Sequence, residues 1–551
     1  AVGALGAVAA LGLAAKTLGL GPKQPRVSPS TVDRLQTSLV PSTARKMLFG
    51  RTALATDLRY HGYTGTNQEY YHQIIAVASH RIEAVEELWL DDQKAWSVTG
   101  GVTPAFAGYL TVAVVLEGAA GNMINVDGIW NAANNRRLTG CAYVHLRFKL
   151  TGNNKKAESP FASSITNRMT IVGKAARVYD PRRDSTVGGS GSMRANDQAT
   201  WAYAVSGDDI GRNPALIELW YLLGWRINGK LAVGRGVPAD RIDMASFIAA
   251  ANLCDEPVTL AAGGTEPRYR FDGIFSEEDD GAGVRVAIET AMNAALRDAG
   301  GQLSLTVLHN DLSSPAITLT EADVIGPHLW DQTGPLSEDR NIVRGRFTNP
   351  SALYQLADYP SVVTGSVDGI DRILSLDLPG VQSSGQAQRL AKQQLQRLKY
   401  QGTFTAPFNA RGWAAQQGKI VAFDFAPLGW SGKLFRVIEQ TIAVDGVCQL
   451  VLQEEHPSIY AWDKEEKPVV TPPVPTSYDY RNNPMLAPIS FRGEYSDLVD
   501  YLAGDIVTNG GAVYIFLTDW PSGSGAPVLN TNWEIFVPGG SPGGTSIVPV
   551  L

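Results

Sequence analysis

From residue 45 onwards, segments in the first third of the chain tend to alternate between apolar and polar positions. Because successive side chains of a strand point to opposite faces, this period of two predicts half-buried β-strands. The alternating segments are residues 45–51, 54–62, 70–77, 82–90 and 94–98. Asp91-Asp92 is predicted to be a turn, and short apolar strands are predicted at 109–116 and 142–150 within a second β unit.

Helical spacing replaces this alternation in the middle of the chain. Asn213-Pro214 opens a predicted helix at 215–223, because proline suits the first helical turn. Asp243 is a good N-cap for a second helix. The predicted helices after the first are 243–253 and 283–299, the latter ending at Gly300-Gly301, and the predicted strands between and after them are 269–275 and 303–308. This region is therefore predicted to be α+β.

Alternation returns in the last part of the chain, around a helix predicted at 384–398. The strands predicted there are 339–347, 402–408, 420–425, 435–444 and 448–454. Residues 467–488 then hold six prolines in 22 residues, which predicts an extended, semi-rigid linker. A small aromatic, glycine-rich β unit is predicted beyond it at 491–537.

Together these patterns predict a multidomain chain that is β-rich and α+β. The predicted organisation is an apolar N-terminal helix and arm (1–44), a β-rich region (45–205) with an insertion around 100–175, an α+β region (206–330), a second β-rich region (331–464), a Pro-rich linker (465–489), a small aromatic β module (490–538) and a Gly/Pro-rich segment (539–551) that could lead to a continuation.

Composition narrows the classes of partner. The 551 residues carry a net charge of -7 without a long basic run, so a nucleic-acid surface has little electrostatic support. Only 18% of the residues are charged, below the roughly 25% typical of soluble domains. Cys141, Cys254 and Cys448 lie far apart, which predicts three buried thiols rather than a disulfide or zinc framework. We expect no cofactor.

The segment 1–20 is rich in alanine, glycine and leucine and is interrupted only by Lys16. It lacks the basic start of a signal peptide, and small residues stand where larger ones would drive membrane insertion. A helix packed closely against copies of itself or another chain is favoured over a transmembrane helix, because small residues allow close backbone approach.

Catalytic patterns find little support. The seven histidines are scattered without a His-Glu-x-x-His motif, and residues 188–192 lack the strand and helix context of a nucleophile elbow. The acidic pairs Asp91-Asp92 and those within 277–280 are best explained as solvated turns, and Asp208-Asp209 as a cap or turn. No catalytic or metal-binding residue is predicted.

The C-terminal unit resembles the small three-stranded modules of the chitin-binding and related carbohydrate-binding type. The resemblance rests on Tyr501, Gly504-Asp505, Val513-Tyr514, Pro527 and Trp533 in this spacing. It implies glycan or surface contacts by exposed rings, since aromatic faces stack on sugars. The candidates are Trp520, Tyr514, Tyr501 and Trp533, with Trp520 the best exposed. We favour the simpler explanation that Tyr501 and Trp533 form the core of this small unit, which needs large side chains to bury enough area.

A second resemblance covers roughly residues 45–462. The matching segments, in order, are 178–182, 213–217 with 220–222, 242–256, 268–273, 386–392 and 458–462. This series is similar to the tip attachment, or central tail hub, proteins of lambda-like long-tailed bacteriophages.

The hub resemblance implies a structural virion protein at the distal end of a phage tail, made in the bacterial host cytoplasm. It implies a homotrimer of β-barrel domains that closes the tail tube, adapts sixfold to threefold symmetry and opens for genome ejection. It further implies contacts with distal tail proteins, the C-terminus of the tape-measure protein and a receptor-binding fibre, and no enzyme activity. The segment 1–20 would then line or plug the channel, or contact a membrane.

This chain departs from the family pattern because it stops soon after the small aromatic unit. We therefore expect receptor recognition to reside in a continuation or in another protein. The alternative is a secreted carbohydrate-active or carbohydrate-binding adhesive protein. A glycoside hydrolase would need two carboxyl groups in one cleft, one of them with a raised pKa, and the sequence offers no preferred pair.

Overall fold

Strands dominate the computed structural model of this chain. The structure describes residues 43–119, 121–122, 124–126, 130–131, 136–151, 159–161, 165, 168–332, 340–365, 369–469, 490–510, 512–524 and 533–537. The chain divides into two compact units, residues 1–471 and 472–551. The predicted N-terminal helix and most of the Pro-rich linker lie outside the described residues, as does the segment 539–551.

Ten strands build the N-terminal part of the first unit. They are β1 Lys46–Phe49, β2 Arg51–Ala53, β3 Asp57–Thr64, β4 Tyr70–Ala78, β5 Ile82–Leu90, β6 Gln93–Ser97, β7 Gly101–Val102, β8 Leu110–Val115, β9 Ala142–Lys149 and β10 Met169–Ala176. Two antiparallel sheets, β2-β10-β5-β6-β7 and β3-β4-β9-β8, share one apolar core. Leu88 from the first sheet and Leu146 from the second lie in this core, as alternation predicts.

Three helices and several hairpins follow. The elements are α1 Pro214–Leu223, β11 Trp225–Ile227, β12 Lys230–Val233, α2 Met244–Asp255, β13 Pro257–Thr259, β14 Thr265–Pro267, β15 Gly273–Ser276, α3 Gly281–Ala291, β16 Ala294–Ala299 and β17 Gln302–Val307. Asn213 caps α1 by accepting from Ala215 N, and Asp243 caps α2 as predicted. All ten residues of α1 are buried, so this helix is the centre of the largest core.

Two predictions in this region are wrong. The predicted helix 283–299 ends at Ala291, and its second half is strand β16, which pairs antiparallel with β17. Asn293 has φ 51°, a left-handed conformation that ends the helix. The predicted strand 269–275 is confined to β15, which pairs with β1.

The rest of the first unit combines one large sheet with smaller ones around a helix. The elements are β18 Ile317–Thr320, β19 Leu329–Asp331, β20 Ile342–Arg344, β21 Arg346–Asn349, β22 Gln355–Asp358, β23 Val362–Val363, β24 Ile373–Ser375, α4 Ser384–Arg397, β25 Thr403–Phe408, β26 Ile420–Phe425, β27 Trp430–Ile442 and β28 Cys448–Glu454. The six-stranded sheet has the order β18-β26-β27-β28-β25-β19 and buries phenylalanines such as Phe404 and Phe423. The three-stranded sheet has the order β23-β20-β24.

The second unit contains one four-stranded sheet. Its strands are β29 Ser490–Glu494, β30 Asp505–Asn509, β31 Ala512–Phe516 and β32 Trp533–Val537. β29 runs parallel to β30, and the other pairs are antiparallel. The sheet therefore has one strand more than the three-stranded modules that the sequence resembles.

The β-rich, multidomain fold class is confirmed, whereas the predicted domain boundaries stay predictions. One continuous core includes residues from Met47 to Leu395, and so it spans several of the predicted regions. Cys254 and Cys448 are buried, but Cys141 is only partly buried, contrary to expectation; all three thiols are free. Within the described ranges, no helix is long and apolar enough to cross a bilayer.

Candidate functional site

The aromatic residues of the second unit form a small core. Tyr501 is only 3% exposed, and its ring packs against those of Phe516 and Tyr495 at 4.8 and 5.6 Å between centroids. Its hydroxyl accepts a hydrogen bond from Ser496 N at 2.9 Å. Tyr501 therefore follows the core explanation that we favour from the sequence, and a buried ring presents no face to a sugar.

The other ring candidates are less buried. Trp520 and Tyr514 are partly buried and pack against the same core. Trp533 lies in β32 opposite Phe516, and its side chain is outside the described residues. Trp520 is joined to Tyr501 by two backbone hydrogen bonds of 2.7 and 2.8 Å. The structure thus brings Tyr501, Tyr514 and Trp520 together around a shared core, in which Tyr501 is the buried member.

A polar cleft of about 340 Å³ lies in the first unit. Most of its charged residues are tied into structural pairs. Asp272 is fully buried and receives two hydrogen bonds of 2.7 Å from the Arg212 guanidinium. This carboxylate raises the pKa of Arg212. Asp272 also accepts from Arg51 N at 2.8 Å, and so it fixes the backbone between β1 and β2.

The opposite side of the cleft is held in the same way. Glu266 accepts from Arg389 at 2.6 Å and from Ser383 Oγ at 2.7 Å. Gln386 on α4 accepts from Arg270 N and donates to Arg270 O, both at 2.9 Å. The cleft is lined by groups that hold α4 against the loop before β15, and these pairs favour a structural role over a catalytic one.

Among the described residues, Glu218 is a buried carboxylate whose pKa is strongly raised. It lies on α1 and is fully buried. Burial and then the neighbouring Glu289 raise its pKa well above the ordinary value, against the opposing effect of Arg285. A carboxyl group with a raised pKa beside a second carboxyl group is the pattern that a glycosidase requires. Glu218 has no exposed surface, however, so a sugar could not reach it as the structure stands.

A buried ion network attaches the six-stranded sheet to α4. Arg436 on β27 is completely buried and donates to Glu455 at 2.9 Å and to Asp311 at 2.7 Å. Arg397 on α4 donates to the same Glu455 at 2.8 Å. Burial alone would lower the pKa of Arg436, but Tyr460, Glu455 and Asp311 outweigh it and raise that pKa. Each buried charge therefore has a charged partner.

Sequence reasoning missed a pair of buried histidines. His72 on β4 and His145 on β9 are joined by a hydrogen bond of 2.9 Å between Nδ1 and Nε2. Their ring planes differ by 1° with centroids 5.2 Å apart, so this bond runs edge to edge. Thr64 Oγ1 lies 2.7 Å from the other nitrogen of His72. Burial, followed by His72 and Arg147, lowers the pKa of His145 to about 4.

This pair is a hydrogen-bonded link across three strands. In the described part of the chain, no group of three or more His, Cys, Asp or Glu side chains is placed to hold a metal ion. The two histidines are 73 positions apart and meet only through the pairing of β4 with β9. The long insertion between those strands is why the sequence pattern did not reveal them.

Comparison with known proteins connects this fold to phage tails. A chain from the virion of a native gene transfer agent particle superposes with a TM-score of 0.56 at 16% identity, covering 85% of this chain and 99% of that one. Baseplate hub protein pb3 of Escherichia phage T5 is 22% identical over 340 residues, which are 58% of this chain and 32% of that protein. The chain is similar to phage tail hub proteins. It spans about a third of the length of that curated relative.

Other comparisons add little support for the similarity to hub proteins. The 43 kDa tail protein of prophage MuSo2 from Shewanella oneidensis is 10% identical with a TM-score of 0.25, covering 76% of this chain and 95% of that one, too low a score to support an argument. No protein-family model matches the sequence. The recognition of a hub-like chain from its sequence is nonetheless confirmed by the hub relative and the shared fold.

The surface of the first unit carries a row of apolar side chains, Ile342, Val363 and Ile373, here called the apolar row. Val363 and Ile373 are the register partners of Ile342 on either side of β20. Val363 is 57% exposed and Ile373 40%. The neighbouring residues Val343, Val362 and Leu374 face the core instead. The outward face of a surface sheet is normally polar, so a row of β-branched aliphatic side chains there indicates a contact surface.

Proposed function

We propose that this chain is a structural component of a phage-type virion and forms the central hub at the distal end of the tail. The single observation that carries the proposal is the sequence similarity to a baseplate hub protein. The shared fold over most of the chain supports it. The interlocked ion pairs fit a mechanical role, because they join sheets and helices into a rigid body.

In this proposal three copies form a ring that closes the tail tube and adapts its sixfold symmetry to threefold. The ring contacts distal tail proteins and the C-terminus of the tape-measure protein, anchors a receptor-binding fibre and opens for genome ejection. The chain acts without catalysis or sequence-specific binding of nucleic acid. The apolar row Ile342, Val363 and Ile373 supports a contact between copies, since apolar surface is characteristic of the buried centre of homo-oligomer interfaces.

The test is the mass of the full chain in solution and of its variants. We expect the wild type to have three times the mass of one chain, by light scattering after size exclusion. Val363→Asp with Ile373→Asp would place charges in the contact and shift the mass to that of a monomer. Val98→Asp is the matched control, because Val98 is 59% exposed in the turn that follows β6 and should leave the trimer intact.

Two results would overturn parts of the proposal. A monomeric wild type at every concentration, also in the presence of purified tail particles, would contradict the hub. If the variant with both aspartates is still a trimer, the hub proposal stands, but the contact between copies does not lie at the apolar row.

A further inference from the structure

The two loops of the second unit are fastened to each other along their length. The first loop is residues 495–504 and the second is 517–524. Gly504 N donates to Phe516 O at 2.8 Å, and Gly523 N donates to Asp497 O at 2.7 Å. The two bonds between Tyr501 and Trp520 lie between these ends. The loops, here called the paired loops, therefore form one fixed surface on the small aromatic core.

Side-chain carboxylates complete this fastening. Asp519 Oδ1 accepts from Ala503 N at 2.9 Å, and Asp500 Oδ1 accepts from Ser522 N at 2.7 Å. Each acid uses one oxygen to lock the opposite loop and stays exposed to solvent. Backbone bonds of this kind hold the loops in place before any partner arrives, which lowers the ordering cost of binding.

The paired loops expose aliphatic side chains while their aromatic rings face inward. Leu498 is 90% exposed, Leu502 57%, Leu517 48% and Val499 45%. This is the reverse of a sugar-binding surface, where rings are exposed. A small unit with one aromatic core gains nothing in stability from four solvated aliphatic side chains, so their concentration on the paired loops indicates a contact surface.

Charge decides which kind of partner fits. Asp497, Asp500 and Asp519 are exposed on the paired loops, and residues 495–524 contain no lysine or arginine. Such a surface repels anionic lipid headgroups and anionic polysaccharides. It attracts a surface that is apolar at its centre and cationic at its rim, the usual arrangement of a complementary protein contact.

We propose that the paired loops are a docking surface for another polypeptide, whose aliphatic side chains cover Leu498, Val499, Leu502 and Leu517 and whose lysines or arginines face the three aspartates. The inference goes beyond the hub role: it concerns the second unit alone and stands whether or not the first unit forms a ring.

The experiment measures binding of the full chain to three short fluorescent peptides by anisotropy. One peptide is built from leucine and lysine, the second replaces each lysine with glutamate, and the third replaces each leucine with serine. We expect the leucine–lysine peptide to bind at least about tenfold more tightly than either of the others. Leu498→Ser with Leu502→Ser should weaken it by about the same factor, and both sites are exposed, so the fold is retained.

The double variant Asp500→Asn with Asp519→Asn tests the effect of negative charge alone, because asparagine keeps an oxygen that accepts the backbone hydrogen bond. This variant should lose most of the preference for lysine over glutamate and most of the salt dependence. Val98→Ser, on the first unit, is the control and should bind like the wild type.

Several outcomes would overturn the proposal. Equal binding of the three peptides, or unchanged binding by the leucine variant, would show that the paired loops are not the contact. Binding to phosphatidylglycerol vesicles or to chitin oligosaccharides that is lost in the same leucine variant would assign the surface to lipid or sugar. Loss of sugar binding in Trp520→Ala with the leucine variant unaffected would assign the unit to glycan through its ring.

Discussion

The six-stranded sheet and the β3-β4-β9-β8 sheet both bury polar groups, but by opposite means. On the first, Arg436 and Glu455 are fully buried and ionised against each other. On the second, His72 and His145 are buried and share a hydrogen bond of 2.9 Å, and burial lowers the pKa of His145 to about 4. A buried charge is tolerated only with a partner of opposite charge, whereas a buried imidazole can remain neutral by lowering its pKa.

The difference follows from what each sheet contacts. Arg436 lies where β27 meets the loop that carries Asp311 and the segment that carries Tyr460, so one guanidinium with five donors can tie three elements together. The histidine pair lies within its own sheet and joins only neighbouring strands. The ion network therefore attaches parts of the unit to each other, while the histidine pair fixes register inside one sheet.

Removal of Arg436 is expected to have the largest effect. Arg436→Met leaves Glu455 and Asp311 with fewer cationic partners, and breaking a buried pair costs roughly 3–5 kcal/mol. Urea unfolding of the full chain should show this loss, together with faster hydrogen exchange in β27 and α4. Adding Glu455→Gln should not restore the stability, because the buried Arg397 would then lose the carboxylate to which it donates.

Arg411→Met is the matched control for this prediction. Arg411 lies 3.7 Å from Asp323 and its side chain is 56% exposed, so the expected loss is below about 1 kcal/mol. Equal losses in the two arginine variants would show that burial does not set the strength of the ion network.

Acidification is expected to destabilise the β3-β4-β9-β8 sheet more than the six-stranded sheet. His80, fully buried behind β1, and His145 have folded pKa values lowered to about 4, in both cases mainly by burial. The unfolded chain, with an ordinary histidine pKa of about 6.5, binds more protons between these values. The contribution of His80 and His145 to the free energy of unfolding is present above pH 6.5 and is lost as the pH falls towards 4. For the fully buried His80 the loss is up to roughly 3 kcal/mol.

The measurement is hydrogen exchange at pH 7 and pH 5, corrected for the intrinsic rate of each amide. Protection in β4 and β9 should fall more than protection in β27 and β28, whose Arg436 stays charged throughout. His145→Gln should reduce the acid sensitivity of β9. An equal loss of protection in the two sheets would mean that the histidines do not control the response.

Local signals were sufficient for much of the fold. Helix α2 begins after its predicted cap Asp243, and β28 spans Cys448–Glu454, the predicted segment. The failure at β16 is instructive, because alanine and leucine there favour a helix, yet pairing with β17 prevails. Gly300 and Gly301 both have positive φ, as in a tight hairpin turn. They were interpreted as a helix end, although two glycines between apolar runs also predict a hairpin.

The buried polar groups could not be predicted in the same way. Arg436 and Asp311 are 125 positions apart, and nothing in the local pattern around either residue indicates a buried ion. Alternation does place Leu146 and Phe148 in the core, and hence His145 on the opposite face. What it cannot supply is the register that sets His145 beside His72. The same holds for Tyr501, whose burial depends on packing within the small unit.

The smallest expected effect is that of Thr64→Val, which tests whether the histidine pair fixes register. The change keeps the shape of the side chain but removes the hydroxyl that lies against His72, and it should cost about 1 kcal/mol. Thr111→Val is the control, since Thr111 accepts from Arg147 at an exposed position and should cost less. In Thr64→Val, exchange should rise at β3 and β4 but not at β27. If β3 keeps its full protection, the link between Thr64 and His72 contributes nothing to register, and backbone pairing alone holds that strand in place.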